Sequence, residues 1–353
     1  MLRLSDFSIY FVCPDQDVPV GGIKVIYQHV DMLVAAGAQA YVLHNTPGFR
    51  CTWFDNDTPV KYSAGRFIPT KNDIFVLPEV IDPEIHTVLA DYHKVIFNQN
   101  CYYTFDNLSP SSDHQRSPYL DPSVLGCLTV SEDSMHYLSY AFPKLNLFRI
   151  RNRIDPKTFA YRADKKNQIA YMPRKNAPDS TQVFQMLRHR GALEGYEVIP
   201  IDGVSAERAA ELIAESKFFF SFGSPEGFSL PPAEAMATGA VVVGYHGWGG
   251  SEFLVNGLAF PIETSDVLTF SRRAEQVLLQ HRTNPASFDS LSKKASHFIH
   301  SHYGHEQQEQ ELHSAWSHLV SLHAQRIQDA QVARRKPVTV QARNPAAQQA
   351  ISA

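Results

Sequence analysis

Cysteine is scarce in this chain. Four thiols, Cys13, Cys51, Cys101 and Cys127, are spread over 353 residues, and no two form a Cys-x-x-Cys pair. That spread speaks against a dense disulfide framework and a zinc site and predicts reduced, buried thiols. Long apolar runs are missing too, none approaching the roughly 20 residues that span a bilayer. The opening segment MLRLSDFSIYFVCP lacks the basic region and long apolar core of a signal peptide. The expectation is a soluble, cytoplasmic protein, at most peripheral at the inner membrane face. Nor is there a basic surplus: 32 Lys and Arg stand against 36 Asp and Glu, a net charge of -4. No nucleic-acid partner is therefore expected. No Gly-x-Gly-x-x-Gly is present, so a dehydrogenase reading of the first βα unit is weak.

What is there suits a folded chain of two domains, with 44% hydrophobic and 19% charged residues. Short β-rich runs alternate with amphipathic helical runs, the pattern of parallel α/β architecture. Strands are predicted at 8–13, 40–43, 74–77, 95–97, 128–130 and 147–150, with a helix over 23–36 that Gly37 ends. The alternation restarts after the polar segment 155–167. Strands follow at 169–172, 197–201, 218–222 and 241–244, with helices over 179–190, 206–216 and 232–238. The predicted domains are 1–155 and 156–305, followed by a C-terminal helix over 306–336 and a disordered tail over 337–353. In that helix Leu312, Trp316, Leu319, Val320 and Ile327 share one apolar face. Packing on a core is its expected role. A membrane-surface role, helped by Arg334, Arg335 and Lys336, is the alternative. The histidines His297, His300, His302, His305 and His313 lack Cys or carboxylate partners at ligand spacing and read as surface helix positions, not as a metal site.

The most informative segment is SFGSPEGFSLPPAEAMATGAVVVGYHGWGGSEFL, from Ser221. A strand runs into a Gly-bearing loop, then into a helix that begins at tandem prolines, where the missing N–H costs nothing. The free N–H groups of that helix start form an anion site suited to phosphate. Glu226 in the loop and Glu234 in the helix frame it. Carboxylates are strong acceptors for sugar hydroxyls. Gly227 lets the backbone approach a ligand closely, and Phe228, Ser229 and Leu230 present backbone beside Glu226.

This segment resembles the C-terminal signature of the retaining glycosyltransferases of family 4, whose fold is GT-B: two Rossmann-like domains facing across a cleft, with C-terminal helices packing back on them. The family pattern is roughly S-x-x-E-G-F-x-L-x-x-x-E-A-M-A-x-G-x-P-V. It is matched at Glu226, Gly227, Phe228, Leu230, Glu234, Ala235, Met236, Ala237 and Gly239, with Ser224 shifted by one place and Val241-Val242 where Pro-Val is common. The resemblance implies that Glu226 faces the donor sugar and Glu234 the ribose. Gly21 and Gly22 stand where the family places a glycine loop near the diphosphate and acceptor. Asn152, Ile154, Asp155 and Phe159 resemble the family's N-G-I-D-x-x-x-F, with Arg153 in place of Gly. Arg174 and Lys175 correspond to the diphosphate-binding Arg and Lys, although here they are adjacent. The stretch VIFNQNCYYTF is similar to a subgroup that includes rhamnosyltransferases of bacterial surface polysaccharides.

The implied reaction is transfer of a sugar from a nucleotide-sugar donor, with retention, to a saccharide or lipid-linked acceptor. The resemblance also implies no metal requirement, which the lack of a suitably placed D-x-D motif fits, and no cofactor is expected. Glu226, Arg174 and Lys175 would carry the transfer. His246 follows a strand and is a further donor candidate. Asn98, Gln99 and Asn100 follow another strand and are acceptor-side candidates. Glu252 matches a family glutamate, with helix capping as its expected role. A nucleotide-sugar epimerase on the same fold and a non-catalytic binding scaffold are the rival readings.

Overall fold

The computed structural model describes residues 3–80, 87–106, 108–110 and 117–335. Parallel strands covered on both faces read as mostly apolar runs, and most inner strands here are dominated by buried apolar residues. The first sheet is built from β1 (Ser8–Val12), β2 (Gln39–His44), β3 (Val60–Tyr62), β4 (Ile74–Pro78), β5 (His93–Asn98), β6 (Val124–Thr129) and β7 (Leu147–Arg149). Every residue of β4 and β6 is buried. The strands are all parallel in the order β3-β2-β1-β4-β5-β6-β7. Helix α1 (Gly21–Ala35) follows β1, and α2 (Glu132–Ala141) follows β6.

The second sheet is parallel in the order β12-β11-β10-β8-β9. Its strands are β8 (Lys166–Tyr171), β9 (Glu197–Pro200), β10 (Ser216–Ser221), β11 (Val241–Tyr245) and β12 (Phe260–Ile262). The intervening helices are α3 (Ala177–His189), α4 (Ala206–Glu215) and α5 (Leu230–Ala237), and α6 (Val267–Thr283) and α7 (Asp289–His302) close the series. Edge strands β3 and β12, three residues each, were not found by sequence patterning. Helix α2 was also missed, although Ser131 caps it by accepting from the Ser134 amide at 3.1 Å.

Helix α8 (His305–Arg335) returns to the first sheet. Leu312, Trp316 and Leu319 are fully buried, and the Trp316 ring lies 6.2 Å from Phe11 of β1. His323 reaches the Asn72 carbonyl at 2.9 Å. The apolar face is thus covered by the protein itself, which corrects the membrane-surface alternative for it: hydrophobic burial is satisfied internally. Lys336 and the tail 337–353 lie outside the described residues. No helix among the described residues is long and apolar enough to cross a membrane. His297, His302, His305 and His313 are exposed on α7 and α8, and no metal-holding group of His, Cys, Asp or Glu occurs among the described residues. All four cysteines are buried and free.

Candidate functional site

In open parallel sheets, ligands bind at the carboxyl ends of the strands where the winding direction reverses. The first sheet reverses between β1 and β4, the second between β8 and β10. Gly21 and Gly22 begin the helix reached from β1. Arg174 and Lys175 lie in the loop after β8, and Glu226 in the loop after β10. Pairing of β8 with β10, which sets Tyr171 opposite Phe220, delivers these two loops side by side. Lys175 Nζ lies 2.8 Å from Glu226 Oε1 and donates to the Pro225 carbonyl at 3.1 Å. Asn176, missed in the sequence, fixes the arrangement. Its amide donates to the Phe222 and Ser224 carbonyls at 2.7 and 3.1 Å, from a left-handed backbone with φ of 52°, a conformation Asn tolerates better than most residues. Arg174 is exposed and forms no such pair with Glu226.

Helix starts differ in their capping, and α7, away from the switch points, lacks a side-chain cap. Helices α2, α4 and α6 are capped by the side chains of Ser131, Ser205 and Asp266. Helices α1, α3 and α5, the three that start at the sheets' switch points, have no side-chain cap. The N–H groups of their first turns thus have no side-chain acceptor. The starts of α1 and α5 face each other: a Cβ on Gly21 would stand 3.0 Å from Leu230 Cδ1. Glu234 sits in α5, and burial pushes its carboxyl up to about 7, opposed by the positive charge of Lys24 on α1. Glu79, just past β4, is likewise raised to about 7 by burial, against a lowering pull from the Gln99 and Asn100 backbone. Sequence reading missed Lys24 and Glu79, because only the fold brings them to the cleft.

Three backbone segments from distant parts of the chain stack here. A Cβ on Gly227 would lie 1.8 Å from the Gln99 carbonyl oxygen and 2.9 Å from Asn100 Cα. A Cβ on Gly249 would lie 2.0 Å from the Gly227 oxygen. Glu226 N donates to Gly247 O at 2.8 Å, and Gly249 N donates to Glu226 O at 3.1 Å. The close approach that Gly227 permits is therefore to the first domain's backbone, a correction to the expectation of a ligand. Gln99 donates to the Gly22 carbonyl at 3.0 Å and Asn100 to the Pro225 carbonyl at 3.4 Å, so both bind one domain to the other or to the helix start. Asn98 turns inward instead. It is fully buried and donates to Tyr119 Oη at 2.7 Å and Thr104 Oγ1 at 3.0 Å, which removes its side chain from the acceptor side.

Phe228 is a core residue packed on Phe253 and Tyr303. Ser229 starts α5 at φ 65° and donates to the His246 carbonyl at 3.3 Å. His246 is buried after β11, and its Nδ1 accepts from the Trp248 amide at 3.1 Å. Glu252 caps a helix, but one in the other domain. It accepts from the Glu132 amide at the start of α2 at 2.9 Å, from Arg149 Nη2 at 2.7 Å and from Tyr303 Oη at 2.7 Å.

No protein-family model matches the chain. It is similar to an alpha-1,6-glucosyltransferase of Actinobacillus pleuropneumoniae serotype 7, with 25% identity over 258 residues, 69% of this chain and 74% of that protein. A putative glycosyltransferase of a Sulfolobus islandicus filamentous virus is 39% identical over 71 residues, 20% of this chain and 21% of its own length. Among solved structures, sucrose-phosphate synthase from Thermosynechococcus elongatus superposes with a TM-score of 0.64 at 12% identity, covering 89% of this chain and 99% of that one. The Anabaena protein HepE, solved in complex with UDP-glucose, gives 0.60 at 13% identity over 88% and 99%. At such identities the structures speak for fold alone. The chain has the GT-B architecture expected from its sequence, and the class that fold and relatives support is a GT-B-type glycosyltransferase.

Proposed function

We propose that the chain transfers a sugar from a nucleotide-sugar donor to an acceptor hydroxyl with retention of configuration and without a metal ion, in polysaccharide or glycoconjugate synthesis. The observation that carries this reading is the Lys175–Glu226 pair at the switch point of the second sheet, beside helix starts without side-chain caps. The N–H groups of α1 and α5, with Lys175, offer positive potential to a diphosphate. Arg174, exposed beside Lys175 in the same loop, is the second cation of this reading. Glu226 then contacts the donor sugar, and Glu234 takes the ribose hydroxyls. As the bond from the anomeric carbon to phosphate breaks, that carbon gains oxocarbenium character. The acceptor oxygen forms the new bond on the same face, and its proton passes to the departing phosphate oxygen. No separate base is required. A donor bearing UDP is the first to try, because HepE was solved with UDP-glucose and because the A. pleuropneumoniae relative is named a glucosyltransferase.

The test is binding and slow hydrolysis across a panel of nucleotide sugars, in chelator, for wild type and Glu226→Ala. We expect one donor to bind and be hydrolysed, with the variant losing at least about a hundredfold in rate, the scale of one transition-state contact. Conversion of the donor to an epimer without acceptor would replace the transferase reading with epimerisation. Donor binding without turnover in the presence of any acceptor would leave a scaffold.

A further inference from the structure

Exposed apolar side chains scattered singly need no explanation, but an exposed large aromatic at a cleft does. Trp248 is 42% exposed. Its backbone has φ of 71°, a region bulky residues avoid and one that persists only when the surroundings impose it. Here the surroundings do impose it. The Trp248 amide donates to His246 Nδ1, and Glu226 and Trp248 form a parallel β-bridge. The flanking glycines pack against the loop that carries Glu226, a Cβ on Gly247 meeting Glu226 Cβ at 3.1 Å. The Trp248 backbone is thereby held one strand spacing, about 5 Å, from the Glu226 backbone.

The ring is also held from both sides. His246 meets it edge-on at 5.6 Å. Across the cleft Tyr102 stands 6.3 Å away, tilted by 41°. Tyr102 follows the Gln99–Asn100 segment and donates its hydroxyl to Asp133 Oδ2 at 2.8 Å, so its orientation is fixed too. Two fixed rings, one from each domain, thus meet beside the loop that carries Glu226. Rigid aromatic surface costs little conformational entropy to use. A pyranose presents a face of C–H groups that such surface covers well, while its hydroxyls remain at the rim for polar partners.

We infer that Trp248, backed by Tyr102, is an acceptor-binding residue that stacks on a pyranose ring, so the acceptor is a saccharide whose terminal sugar lies on the indole. This rests on the transferase reading and narrows it: an acyclic polyol would lack the ring that the exposed indole face covers.

The experiment compares wild type, Trp248→Ala and Trp248→Phe with a panel of p-nitrophenyl pyranosides and with glycerol. Acceptor binding is measured by calorimetry without donor, and transfer and donor hydrolysis are measured together. We expect pyranoside affinity and the ratio of transfer to hydrolysis to fall about tenfold or more in the Ala variant. The Phe variant, which keeps a ring on the same backbone, should retain most of both. Failure of every pyranoside to bind wild type, or equal binding to Trp248→Ala, would overturn the inference. So would a parallel fall of transfer and hydrolysis, which would place the indole in the donor pocket or in the scaffold of the loop. Because glycoside binding is read without donor, absence of any donor turnover would sink the transferase reading while leaving this contact standing.

Discussion

Gly227→Ala tests the idea that stacking of bare backbone closes the cleft. Gly227 is not among the positive-φ glycines, so an alanine there meets no conformational objection of its own. The objection is the Gln99 carbonyl oxygen, 1.8 Å from the new Cβ, with Gln99 C at 2.7 Å and Asn100 Cα at 2.9 Å. All three are backbone atoms and cannot rotate aside. Since Cβ contacts below 3.0 Å essentially never occur, the two segments must part by about 1.2 Å, and close packing leaves no slack to absorb this. The Asn100 to Pro225 hydrogen bond, already 3.4 Å, would be lost. A misplacement of about 1 Å at a reacting centre costs on the order of a hundredfold. We therefore expect kcat for sugar transfer to fall by about that factor, with donor affinity falling much less, since the second domain keeps its sheet. Small-angle scattering with donor present should show a more open molecule than wild type. A Gly227→Ala enzyme with wild-type kcat would refute the argument, because the backbone stack would then be dispensable.

Charged groups taken from water have further consequences. The Glu234 carboxyl is raised by burial to about 7 from 4.5, so the folded state holds its proton over a range where the unfolded chain has lost it. Its contribution to stability is present below about pH 4.5 and is lost as pH rises through 7. Glu234→Gln should therefore gain thermal stability over wild type at pH 8, by at most about 3 kcal/mol, and match it at pH 4.5; equal pH profiles would show that this carboxyl is not desolvated. Ribose hydroxyls donating to the ionised form would lower that pKa, so donor binding near pH 6.5 should release protons, seen as a buffer-dependent binding enthalpy. Glu252→Ala should cost about 2 kcal/mol, because it removes one of the two carboxylate partners of Arg149, Glu132 being the other, and leaves the Tyr303 hydroxyl unpaired. In a double-mutant cycle with Arg149→Ala the losses should fall short of additive, and additive losses would mean that the cross-domain pair contributes nothing.

The contiguous features were legible in the linear chain. The segment from Ser216 to Tyr245 holds a buried strand, a loop with Glu226, a proline-bearing helix with Glu234 and a second buried strand, all within one βαβ unit. Its local order follows from turn and helix chemistry that acts over a few residues. The alternation of apolar runs likewise announced two parallel α/β units, because a strand buried on both faces reads as a mostly apolar run. Composition, through few cysteines and no long apolar run, bounded the class of protein further.

What tertiary structure decided was which distant residues meet. Lys175 reaches Glu226 only because β8 pairs with β10, a crossover that no local pattern encodes. Asn98 and Gln99 are neighbours in sequence, yet strand alternation turns one into the core and leaves the other against Gly22. Glu252 resembles the cap of its own segment and instead caps α2 of the other domain. Gly227 approaches backbone from the first domain, and Trp248 acquires a partner in Tyr102. Propensity and periodicity act along the chain over one or two turns, whereas closure, shared burial and the raised carboxyls of Glu79 and Glu234 depend on atoms brought together from far apart in it.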